Sequence, residues 1–242
     1  MNTISRRPLL ALLCAPGLLL AACAGAPPAP MAWDSVVAAP DRSDADRATD
    51  ARRKPALMLA FTGVRPGMQV LDISAARGYT SELLARAVGP GGRVYAQSPR
   101  PSPPLLERAR LRPWIQPYQA GFDNPVPPSV AEGQLDLVTL MFNYHDLGHM
   151  GVDRARLNQA VFRALKPGGS FVVADHSGRP GTGISEAATL HRIEESFLRH
   201  EIEAAGFQLA ARGDFYANPA DPRDAAEPAF PKDEFILRFV KP

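Results

Sequence analysis

The stretch VLDISAARGYTSELLARAVGPGGRVYA, residues 70–96, decides the architecture. With the two residues before it, its first part reads Met68 to Ile73 (MQVLDI), a short apolar run suited to a buried parallel strand. Tyr79 to Val88 places Leu83, Leu84 and Ala87 on one helical face, Gly89-Pro90-Gly91-Gly92 turns the chain, and Arg93 to Gln97 supplies a second strand. Strand, helix and strand in this order form a βαβ unit.

The alternation continues on both sides. Asp41 to Thr62 reads as a helix perturbed at Pro55 and stopped by Gly63-Val64-Arg65-Pro66-Gly67. Nine prolines between Pro99 and Pro128 leave room for one short helix at Leu105 to Leu111 and a weak strand at Ile115 to Gln119. Leu135 to Phe142 is a buried strand, Asp153 to Leu165 an amphipathic helix, and Lys166-Pro167-Gly168-Gly169 turns into a strand at Ser170 to Asp175. Thr189 to Ala205 predicts a further helix with Leu190, Ile193, Phe197 and Leu198 inward, and Phe207 to Tyr216 and Glu234 to Val240 close the sheet. Repeated βα units require an α/β fold: a doubly wound, mostly parallel sheet that binds ligands at the carboxyl ends of its strands.

Of the 242 residues, 45% are hydrophobic and 21% charged, which excludes disorder. Lys and Arg number 27 against 25 Asp and Glu, and losing Arg6 and Arg7 with a leader makes the balance 25 against 25. No positive field is left for non-specific nucleic-acid binding, so no nucleic-acid partner is expected. Two cysteines, Cys14 and Cys23, rule out a disulfide framework.

Residues 1–22 read as a signal peptide, with a short basic region and an apolar run from Leu9 to Leu20 that is too short to span a bilayer. Leu20-Ala21-Ala22-Cys23 resembles the lipobox of bacterial lipoproteins, which implies lipidation of Cys23 and loss of Cys14 with the leader. Cysteine catalysis is then excluded, and the membrane is engaged only through lipid on Cys23. Ala24 after the cysteine implies, by the same resemblance, the outer membrane, with the protein on the periplasmic face of the cell envelope. Ser5-Arg6-Arg7-Pro8 also resembles a twin-arginine export motif, the alternative being the basic region of an ordinary signal. Residues 23–39 form a Pro/Ala-rich tether, and the folded domain is expected over residues 40–242.

The segments at 70–96, LDLVTLMFN (135–143) and LKPGGSFVVAD (165–175) resemble the class I S-adenosylmethionine (SAM)-dependent methyltransferases. NYHDL (143–147), DH (175–176), LHRIEE (190–195), EIEAAGF (201–207), NPADPRD (218–224) and FILRFVKP (235–242) look like a bacterial family of predicted methyltransferases. The resemblance covers residues 45–242 and implies a seven-stranded Rossmann-like sheet, SAM as cofactor and a small-molecule acceptor.

It also implies a cofactor loop of alternating glycines after the first strand, where Ser74, Ala76 and Gly78 stand here. Asp72 ends that strand and would point into the crevice, or else order the loop. An acidic residue that accepts from the ribose hydroxyls is replaced by Gln97-Ser98, either of which could accept one such bond. Asp123 stands where a contact to adenine is expected, the alternative being a turn aspartate before Asn124-Pro125. The dinucleotide pattern Gly-x-Gly-x-x-Gly is absent, which disfavours NAD.

Asn143, Tyr144, His145 and Asp146 follow the fourth strand, Asp175 and His176 the fifth, and the two strand ends are neighbours in such a sheet. His145 or His176 could serve as a base, oriented by Asp146 or Asp175, with Tyr144 and Asn143 beside them. His191 reads as an ordinary helix histidine, and Glu194 and Glu195 as a solvated face with Arg192 and Arg199. His145, Asp175, His176 and His191 could alternatively bind a divalent metal, but they match no tight metal-ligand spacing, so no metal is expected. The competing function is that of a binding or regulatory protein that keeps the fold without turnover.

Overall fold

Strand residues alternate between two apolar cores. Leu71, Ile73, Val138, Leu140, Phe171 and Val173 face one, while Val70, Val94, Ala96, Leu137, Val172 and Ala174 face the other. The central strands are therefore buried on both sides, as helix-covered parallel strands require. The computed structural model describes residue 1, residues 33–229 and residues 231–242. The signal segment beyond Met1, Cys14, the lipidation site Cys23 and the tether as far as residue 32 lie outside the described residues. Among the described residues no helix is long and apolar enough to cross a membrane.

The strands are β1 (Gln69–Ile73), β2 (Arg93–Ser98), β3 (Ile115–Gln119), β4 (Leu135–Met141), β5 (Leu165–His176), β6 (Gln208–Gly213) and β7 (Glu234–Val240). They form one seven-stranded sheet in the order β3-β2-β1-β4-β5-β7-β6. β1 to β5 are mutually parallel, and β7 runs antiparallel to β5 and β6. The order reverses between β1 and β4, which opens a crevice at their carboxyl ends.

The helices are α1 (Asp34–Val37), α2 (Asp44–Arg53), α3 (Pro55–Thr62), α4 (Tyr79–Val88), α5 (Pro103–Leu111), α6 (Arg154–Ala164), α7 (Ala187–Leu190) and α8 (Glu195–Glu203). Leu157 and Val161 of α6 pack with Leu198 and Ile202 of α8 in one core. Met58 and Leu59 of α3 join Leu83 and Leu84 of α4 in the other.

Three expectations differ from the structure. The helix expected over residues 41–62 is two, because Lys54 adopts a left-handed φ of 41° ahead of Pro55, which starts α3. The helix expected over residues 189–205 breaks at His191, with φ 50°, and resumes at Glu195. The break follows from Arg192, expected on a solvated face but fully buried. Its guanidinium donates to Ser177 O at 3.0 Å and Ala225 O at 3.1 Å and pairs with Asp221 at 2.9 Å. A buried cation with these partners outweighs helix propensity over a few residues. Finally, packing begins before residue 40, since Trp33 is buried with Met58, Leu84 and Val88 in the core and α1 follows it.

Trp33→Ala should lower the unfolding free energy by about 3–4 kcal/mol, read from urea denaturation. An unchanged midpoint would show that the domain does not depend on this residue.

Candidate functional site

The loop from β1 into α4 keeps the backbone of a glycine loop with non-glycine residues in it. Ser74 has φ 60°, Ala76 φ 49° and Gly78 φ 83°. Left-handed geometry costs an L-residue roughly 1–2 kcal/mol, so neighbouring groups must hold it. Gln97 Oε1 accepts from the Ser74 N–H at 2.9 Å, and Gln97 O accepts from the Ala75 N–H at 2.8 Å. From α5, Ser102 Oγ donates to Ala76 O at 2.8 Å and Arg108 Nε donates to Arg77 O at 2.9 Å.

The loop opens on a cavity of about 370 Å³ that Ser74 and Ala76 line together with Asp72, Phe142, Asn143 and His176. This lies at the low end of the roughly 300–1,000 Å³ range of small-molecule sites. Helix α2 covers it with Thr49, Arg52 and Arg53 and is docked by the Tyr79 hydroxyl, which donates to Asp50 at 2.7 Å. The Arg53 guanidinium lies 4.3 Å from the Phe142 ring centroid and donates to Thr80 Oγ1 at 3.2 Å. Burial pushes its pKa down.

Asp72 lies beneath the loop, 1% exposed, accepting from Ser81 Oγ at 2.5 Å and Thr139 Oγ1 at 2.8 Å. Burial raises its pKa to about 6 against the opposing pull of these hydroxyls and of the Arg53 charge. Asn143 is among the residues that line the cavity; its Nδ2 donates to Asp146 Oδ2 at 2.8 Å, while its buried Oδ1 has no hydrogen-bond partner. A buried carbonyl oxygen without a donor is an acceptor awaiting a ligand or water.

The ends of β4 and β5 do bring a polar cluster together. His145, 3% exposed, places Nδ1 2.6 Å from Asp175 Oδ1, and its N–H donates to Asp175 Oδ2 at 2.8 Å. Burial disfavours the charged ring, but the Asp175 hydrogen bond and the charges of Asp175 and Asp146 outweigh it and raise the pKa. His176 lies against the Phe142 and His145 rings, with Nδ1 2.9 Å from Glu234 Oε1 as a charge contact. His191 Nδ1 approaches Asp146 Oδ1 at 3.0 Å. Of the six described non-glycine residues with left-handed φ, Ser74, Ala76, Phe142 and His191 stand around this region.

Other expected site residues are placed elsewhere. Tyr144 is fully buried among α6 and α8, where its hydroxyl donates to Glu201 at 3.0 Å and accepts from Asn158 at 2.9 Å, so it is a core tyrosine. Gly78 does not line the cavity; a Cβ there would lie 2.8 Å from Arg108 Cδ and 2.9 Å from Leu105 Cδ1, so it serves the packing of α5. Asp123 accepts from the Asp153 N–H at 2.7 Å, ordering the start of α6, and does not line the cavity. Both ends of the Gln97 amide are engaged, the nitrogen donating to Ala120 O at 2.6 Å, and Ser98 Oγ donates to Arg100 O at 2.9 Å.

Sequence reasoning missed Arg53, Phe142 and Glu234, which reach the site only through tertiary packing. The one local signal was the charge of Arg52-Arg53 at the end of α2. A second cavity of about 680 Å³ shares Arg52 and His176 with the first and is lined by Lys54, Tyr216, Pro228 and Glu234.

No family model matches this chain. It is 31% identical over 125 residues to a ubiquinone/menaquinone biosynthesis C-methyltransferase of Cupriavidus taiwanensis, an alignment covering 49% of this chain and 47% of that protein. The chain spans about half the length of the curated relatives it matches. A SAM-dependent methyltransferase from Aquifex aeolicus superposes with a TM-score of 0.59 at 18% identity, covering 82% of this chain and 99% of that one. The cyclase SpnF superposes with a TM-score of 0.60 at 18% identity, covering 80% and 82%. The fold is that of the Rossmann-like SAM-dependent methyltransferase structures, and it also carries an activity named otherwise.

Ala76→Gly should stabilise the protein by about 1 kcal/mol, because only a strained Cβ is removed; a destabilised variant would mean that the loop is not strained. For Asp72, a folded pKa of about 6 against 3.8 means the folded state binds the extra proton between these values. Its contribution is present below the lower value and is lost as pH rises through the upper. The difference in unfolding free energy between wild type and Asp72→Asn should therefore shift by roughly 2–3 kcal/mol against wild type from pH 4 to 7.5. A difference independent of pH would refute this.

Proposed function

We propose that this chain binds SAM in the cavity at the β1 loop and methylates a small molecule held in the adjoining larger cavity. The observation that carries the reading is the persistence of a left-handed loop at Ser74 and Ala76, opening on a cavity with an unpartnered Asn143 Oδ1. Strain of this kind survives where surrounding contacts over-determine it, typically at functional sites.

The residues fit the amino-acid end of the cofactor. Arg53 offers a buried cation to a carboxylate, and Asn143 Oδ1 offers an acceptor to an ammonium group. The small side chains of Ser74, Ala75 and Ala76 leave main chain accessible. When bound, SAM supplies an electrophilic methyl group on a sulfonium. The protein's part is then to position the acceptor and take up its proton. His176 lines both cavities, and its Nδ1 lies 2.9 Å from Glu234 Oε1. Tyr216 and Pro228 supply apolar walls that exclude water from the acceptor. We further propose export as a lipoprotein anchored through Cys23 on the periplasmic side of the outer membrane, supported by Leu20-Ala21-Ala22-Cys23.

One observation favours the second reading, a binding or regulatory protein without turnover: Gln97 and Ser98 are committed to local bonds where a ribose acceptor would stand. Calorimetric titration of the full chain with S-adenosylhomocysteine separates the two. Asn143→Leu should weaken binding about tenfold through loss of the cavity acceptor. His176→Gln should leave binding intact and lower methyl transfer by about 10²-fold or more. No binding up to about 1 mM, roughly −4 kcal/mol, would leave the second reading.

A further inference from the structure

We propose that His145 Nε2, Asp146 Oδ1 and His191 Nδ1 form a three-ligand site for a divalent first-row metal ion, zinc being the species that fits. Asp175 fixes the orientation of the His145 ring. Its carboxylate accepts from the His145 and His176 N–H groups and lies 2.6 Å from His145 Nδ1. An ionised carboxylate has only acceptors, so the His145 proton belongs on Nδ1. Nε2 on the other side of the ring faces Asp146 Oδ1 at 3.2 Å.

A second imidazole converges on the same oxygen, His191 Nδ1 at 3.0 Å, and one ligand atom from each of the three residues lies within 4.8 Å of the others. Bonds of about 2.0–2.2 Å to a tetrahedral zinc ion set neighbouring ligand atoms roughly 3.3–3.6 Å apart, a few tenths of an ångström beyond the two observed edges. His191 reaches this point through the left-handed break that interrupts the expected helix.

Two ligands are braced from behind, as metal ligands generally are: His145 by Asp175, and Asp146 by Asn143 Nδ2 on its other oxygen. Two imidazoles and one carboxylate suit zinc better than magnesium or calcium, which prefer all-oxygen sites. His191 remains 47% exposed, so the site is open on one side and leaves a coordination position for an exogenous ligand.

The site stands independently of the methyl-transfer reading, and its test uses no SAM. The full chain, stripped with a chelator, is titrated with zinc by calorimetry and with cobalt by visible absorption. A parallel background carries Cys14→Ser and Cys23→Ser so that thiolates do not compete. One equivalent of zinc should bind, and cobalt should give d–d bands without a thiolate charge-transfer band. His191→Asn, a residue that tolerates the left-handed backbone, and Asp146→Asn should each weaken zinc affinity about tenfold or more with the circular dichroism unchanged. His200→Ala, on the exposed face of α8, should bind as wild type. Absence of stoichiometric binding, or equal loss in His200→Ala, would overturn the proposal. Wild-type affinity in His191→Asn would overturn it as well.

Discussion

The Gln97 amide ties the carboxyl edge of the sheet together. Its oxygen takes the Ser74 N–H and its nitrogen gives to Ala120 O, so one side chain at the end of β2 holds the loops that leave β1 and β3. It is fully buried, where an amide with both ends satisfied is worth more than a surface hydrogen bond, and where losing either partner leaves a costly orphan. The left-handed turn at Ser74 depends on this clamp, the cavity depends on the turn, and α4 starts where the turn delivers it.

The fold was legible because its signals are local. The apolar run at Val70 to Ile73, the helical face of Leu83, Leu84 and Ala87, and the glycine turn at 89–92 fall where the structure has β1, α4 and the entry to β2. What could not be read was set at long range. Arg192 looked like one more charge on a helix, but Asp221 and two carbonyls from distant loops bury it and break the helix at His191. Trp33 looked like part of a tether because the core that receives it comes from α3, α4 and β2.

The candidate site divides along the same line. That the ends of β4 and β5 adjoin follows from topology, so the meeting of His145 and Asp175 was legible. Tyr144 lies between Asn143 and His145 in sequence, yet its side chain points to the other face, as neighbours do where a strand ends. His191 seemed an ordinary helix residue until the break turned it toward Asp146. Arg53 carries no motif, and only the docking of α2 through Tyr79 and Asp50 brings it over Phe142.

A loop that had merely lost its glycines would be free to relax, and this one has not. Ser74 and Ala76 hold conformations that cost roughly 1–2 kcal/mol each, and Phe142 and His191 do the same across the crevice. The bonds that oppose this strain come from β2 and α5 on one side and from the His145 N–H donated to Asp175 on the other. Both sets of bonds lie at the crevice between β1 and β4, where the order of strands reverses. A polar pocket with fixed walls loses little on ordering when a ligand enters, which is what selective binding of a small molecule requires. Ser74 and Ala76 thus give the wall small side chains on a left-handed backbone.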